Sequence, residues 1–141
     1  MNAAGEFDGE YNNDASVFIF TSTVYYVGEG TDGEPALFRH RVDAGDTVGT
    51  TELVRGVENM QVVYGVGDQE GVDDYVDADE VTDWSEVVSA RIALLMRSND
   101  GAVDAEQTRS FNLAGTEITT QSDRRARLVG NATLAIRNRL E

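Results

Sequence analysis

The sequence has no cysteine and no lysine, and only one proline, one histidine and one tryptophan in 141 residues. Without cysteine there is no disulfide framework, no thiolate nucleophile and no sulfur ligand for zinc. Without lysine there is no Schiff base and no phosphate-loop lysine. The lone histidine, His40, sits between Arg39 and Arg41, and no serine occupies a Gly-x-Ser-x-Gly elbow. A Ser-His-Asp triad therefore lacks its parts, and His40 reads as a half-buried strand residue. No apolar run nears the ~20 residues of a membrane helix. The opening stretch, Met1 to Gly9, lacks the basic-then-apolar order of a signal segment. Carboxylate-only hydrolysis survives as an inventory, but one tryptophan makes a poor platform for a sugar. The expectation is a protein that is not an enzyme.

Charge is present in excess and in one sign. There are 26 acids against 11 arginines, net −15. Residues 1–104 carry 22 acids and 5 arginines, whereas residues 105–141 carry 4 acids and 6 arginines. A body so negative repels phosphate backbones and anionic lipid heads, so no direct nucleic-acid partner is expected. The length suits one domain, read as a polar leader over 1–15 and a single β-rich unit over 16–141.

β-Branched and aromatic residues crowd the run SVFIFTSTVYYV from Ser16 to Val27, which predicts a strand. Gly28–Pro35 is a turn, and Ala36–Val42 alternates apolar with polar, completing a hairpin. Further strands are expected over 58–66, 90–97, 108–113 and 130–139. Thr51 could cap a helical turn through Leu53, Val54 and Val57, and Asp83 a second near 83–88. Arg124–Leu140 fits helix or strand, with strand favoured for Ala132–Arg139. The class expected is α+β, mainly β, with antiparallel sheets and one or two short helices. In ARIALLMR the residues Ile92, Leu94 and Met96 share one face, which is taken as the core, with Trp84 near its start.

Two clusters invite function. From Asp68 to Glu86 there are nine acids and no base. Around Gly71, the side chains of Asp68, Glu70, Asp73 and Asp74 offer oxygens to a calcium ion, although the order is not that of an EF-hand; a solvated acidic loop is the alternative. Opposite in sign, Arg124, Arg125 and Arg127 either pair with acids of their own chain or dock neighbouring subunits.

The blocks Tyr25-Tyr26-Val27, Leu37-Phe38-Arg39, Glu52 to Gly65, Tyr75 to Ser98 and Ile136-Arg137-Asn138-Arg139 occur in an order that resembles the PilW family of type IV pilus minor pilins. The resemblance runs from about residue 23 to the end. It implies a pilin- or pseudopilin-like globular head that helps prime pilus assembly, and so supports adhesion, twitching and DNA uptake. It further implies other minor pilins and pilus subunits as partners, and a periplasmic or extracellular site. Membrane attachment would come only through an N-terminal apolar helix, so the chain looks like the C-terminal part of such a protein. Members of the family often carry a regular Asp-x-Asp-x-Asp-Gly loop where this chain has GDQEGVDD. A calcium- or glycan-binding extracellular adhesive module is the competing expectation.

Overall fold

The computed structural model describes residues 21–43, 46–68 and 70–136. Extended backbone dominates, as the β-branched and aromatic content requires. The strands are β1 (Thr21–Glu29), β2 (Pro35–Asp43), β3 (Asp46–Arg55), β4 (Val57–Asp68), β5 (Gly71–Val76), β6 (Val87–Arg97), β7 (Ser110–Leu113), β8 (Thr116–Thr119) and β9 (Arg127–Ala135). They form an antiparallel three-stranded sheet in the order β1-β2-β3, a four-stranded sheet β5-β4-β6-β9 and the hairpin β7-β8.

The mainly β, antiparallel expectation agrees with this architecture, but its helices do not. Among the described residues the helical content is one 3-10 turn, Trp84–Glu86, which Asp83 caps by accepting the Ser85 N–H at 2.8 Å. The helical turn expected near 51–57 is instead the end of β3. Leu37 faces Val54 and Phe38 faces Glu52, so Leu53 is a bulge residue with no partner across the ladder. That extra residue breaks the two-residue alternation and imitates helical spacing in the sequence. Of the acid-rich stretch 67–82, read as a loop from its sequence, residues 71–76 are likewise strand, as β5. β9 starts three residues before the expected strand over 130–139 and is not helical. The expectations for residues 1–20 and for Arg137 to Arg139 lie outside the described residues.

A tight joint links the two larger sheets. Gly56, between β3 and β4, donates its N–H to the Pro35 carbonyl at 2.8 Å and accepts the Arg97 N–H at 2.7 Å. Its φ of +75° suits glycine alone, and a Cβ there would stand 2.5 Å from the Arg97 carbonyl oxygen.

The core lies on the face of β6 opposite to the one expected. Ala93 and Leu95 are fully buried with Leu113 of β7, and Phe111, Ile118 and Val129 pack around them. Ile92, Leu94 and Met96 do share a face, but they are only half-buried. Both faces of β6 are apolar, so alternation could not say which one the β7-β8 hairpin covers.

Candidate docking interface

Residues opposed in register share a face of the sheet. On the β4-β6-β9 portion, Met60, Leu94 and Gly130 form one such row. Val62, Ile92 and Ala132 form the next, and Tyr64, Ala90 and Leu134 a third. Three consecutive rows carry no charge in a chain of net −15. Tyr25 and Leu37 of the first sheet rise beside them and complete a groove of about 670 Å³. Trp84 extends the surface, its ring edge-on to Tyr64 at 4.9 Å. Leu134 is 54% exposed and Leu128 66%, and single exposed leucines are ordinary, whereas a contiguous apolar face marks a contact surface.

The arginine cluster divides. Arg127 has a side chain only 3% exposed, and it bonds Glu58 through Nε and Asp123 through Nη2 at 2.6 Å. Arg125 bonds Glu34 at 2.9 Å and the Ser98 carbonyl at 2.9 Å. Arg97, at the end of β6, reaches Glu34 at 2.7 Å and Glu58 at 3.4 Å. Three arginines and three acids thus form one latch joining the β1-β2 turn, β4, β6 and the segment entering β9. Arg97 Nε within it has no hydrogen-bond partner among the described residues. Glu58 owes its place to a bulge, because Val57 faces Met96, Asn59 faces Leu95 and Glu58 is skipped between them. For Arg125 and Arg127, pairing within the chain is the arrangement realised, and Arg124 alone of the three is exposed.

Hydrogen bonds from Arg127, backed by the Arg125 backbone N–H, hold the Asp123 carboxyl down from 3.8 to about 2. Arg97, then Arg125, lower Glu34. Asp123 raises Arg127, with Glu58 adding to it. A depressed carboxyl stabilises the fold above its unfolded value and loses that contribution as pH falls through its folded one. The melting temperature is therefore expected to drop between pH about 4 and about 2. In Asp123→Asn that drop should be shallower, and identical acid limbs for the two proteins would contradict the assignment.

The acidic hairpin is placed differently from the latch. Asp68 Oδ1 accepts the Glu70 N–H at 2.8 Å and Asp74 Oδ1 accepts the Tyr75 N–H at 2.7 Å. Asp73 is a bulge residue between the pairs Val66–Asp74 and Gly67–Val72. Arg91 lies over the Tyr75 ring at 3.8 Å and pins this edge to β6. Among the described residues no group of three or more histidines or carboxylates converges as a cation needs. Calcium and magnesium at equal concentration are therefore expected to shift the melting temperature equally, by screening. A rise specific to calcium would show that the hairpin closes around the ion.

His40 is half-buried with Nδ1 2.9 Å from Thr50 Oγ1, as its strand position suggests. Sequence reasoning missed Glu34, Glu58, Arg97 and Asp123 as one cluster. Their only advance signal was a run of three arginines with a single local acid, Asp123.

A β-sheet unit with one apolar face open and its buried arginines already paired has a surface suited to packing against another protein. The family model described as Type IV Pilus-assembly protein W matches residues 24–138. The chain belongs to this PilW family and so to the assembly of type IV pili. No curated protein and no solved structure matches it. Among the described residues no helix is long and apolar enough to cross a membrane.

Proposed function

We propose that this chain is the globular head of a minor pilin that primes type IV pilus assembly outside the cytoplasm, and through the pilus supports adhesion, twitching and DNA uptake. The observation that carries the reading is the uncharged groove between the two sheets. An amphipathic or apolar helix laid there would bury the rows led by Leu94 and Ile92, as helix-in-groove docking requires. In a minor pilin that helix is the N-terminal one that anchors the subunit before assembly. Family membership supports the pilus as the setting. Exposed Arg124 is the member of its trio suited to steering neighbouring acidic subunits, where rim charge sets association rate and partner choice.

Adjacent residues of β1 provide the test. Tyr25 lines the groove, while Val24 is equally exposed, at 51%, on the opposite face. In cells whose own copy of the gene is deleted, the full-length protein with Val24→Asp should restore pili and the one with Tyr25→Asp should not. Normal piliation in the deletion itself removes the assembly role, and equal behaviour of the two variants removes the groove as the docking surface.

A further inference from the structure

The four-stranded sheet ends on β9, and nothing among the described residues pairs with the outer edge of that strand. Bare edges invite another strand, and proteins blunt them with charge, proline or bulges. Here β5, the opposite edge, carries Asp73, Asp74 and a bulge. In the other sheet, β3 carries Glu52, Arg55 and a bulge, while β1 is uncharged from Thr21 to Gly28 and ends on Glu29. From Leu128 to Ile136 the β9 edge has no charge and no proline, and it pairs with β6 without a register shift.

The ladder fixes which groups point outward. Ser98 N–H donates to the Ala126 carbonyl and Ile136 N–H to the Val88 carbonyl, so even-numbered residues bond inward to β6. Alternation of an antiparallel ladder then turns the N–H and C=O groups of Arg127, Val129, Asn131, Thr133 and Ala135 to the open side. These positions are symmetric about Asn131. A second copy laid antiparallel would set Val129 against Thr133, Arg127 against Ala135 and Asn131 against itself. Every outward group would then find a partner. Between these pairs, Leu128 would meet Leu134 on the open apolar face, and Gly130 would meet Ala132.

We propose that two copies of this chain pair through β9 about a two-fold axis at Asn131, joining their four-stranded sheets into one continuous antiparallel sheet. Such an interface is isologous and closes at two subunits. Net charge opposes it, but the acids of β5 lie three strands from β9. That is about 14 Å at a spacing of ~4.8 Å per strand, beyond the Debye length of ~8 Å at physiological ionic strength. Pairing should therefore tighten as salt is added, the reverse of an ion-paired interface. It needs no occupant in the groove, although Gly130, Asn131, Ala132 and Leu134 also line that groove, and it is read by sedimentation rather than by piliation.

Sedimentation equilibrium of this chain at low and high NaCl should show a reversible monomer–dimer equilibrium that shifts toward dimer with salt. Asn131→Asp, nearly isosteric at an exposed position, sets two carboxylates on the axis and should weaken the dimer at least tenfold. Thr133→Pro removes one outward N–H without touching the β6 ladder and should do the same with unchanged circular dichroism. The chain has no cysteine of its own, so Asn131→Cys should form a symmetric disulfide in air, while Thr119→Cys should not. Opposed residues of a hydrogen-bonded pair stand about 5.5 Å apart, within disulfide reach. Monomer at every concentration and salt, a dimer indifferent to Asn131→Asp, or assembly that grows beyond two copies would each overturn the proposal. If Thr133→Pro fails to fold, the aspartate and cysteine variants decide.

Discussion

Leu95→Ala is expected to destabilise the protein by about 2–5 kcal/mol, the cost of emptying a closed leucine site. Leu95 is 0% exposed, and its neighbours Ala93, Leu113, Phe111, Ile118 and Val129 come from four elements that cannot all move in to fill the space. Leu94→Ala, one residue along the same strand, should cost only about 1 kcal/mol, because its side chain lies on the open groove and leaves no sealed cavity. Urea unfolding of both variants checks the ranking. A larger loss for Leu94 would put the core on the other face of β6.

Arg127→Met should be nearly as damaging, at about 3 kcal/mol, since it keeps the length of the side chain but strips partners from Glu58 and Asp123. Arg127 is 3% exposed in its side chain, whereas Glu58 is 15% and Asp123 21%, so water can compensate the two acids only in part. Arg124→Ala, at an exposed position three residues earlier, should change stability by less than about 0.5 kcal/mol. A double-mutant cycle with Glu58→Gln isolates the pair, and a coupling near zero would show the contact to be idle. Reversing all three arginines to glutamate should unfold the protein rather than leave it folded.

Much of the sheet framework could be read from the residues, and the reasons for the rest are particular. The β1-β2 hairpin follows from the glycine- and proline-bearing run Gly28–Pro35, of which 30–34 form the turn, between two strongly β-forming runs, and β4 and β6 from long apolar stretches. β3 was hidden by the bulge at Leu53. β5 was hidden because an edge strand with Asp73 and Asp74 exposed resembles a solvated loop. β8 has only four residues, too few for a period to declare itself. The apolar character of β6 was plain, yet its buried face was not, since Ala93 and Leu95 look no more buried in sequence than Ile92 and Leu94. The latch was illegible for a different reason. Glu34 meets Arg125 across 91 residues, and Glu58 meets Arg127 across 69.

Those separations also set an order of events in time. The β1-β2 and β7-β8 hairpins join residues close in the chain and can form as soon as they exist. The latch must wait until the segment around Arg125 has been made and brought back to a turn laid down near residue 34. Contacts of such long range carry the largest loop-closure cost and tend to be completed late. Losing one of them then chiefly hastens opening of the finished molecule and leaves its rate of formation little changed. The latch thus acts as a lock on lifetime, set only once the segment around Arg125 has been made.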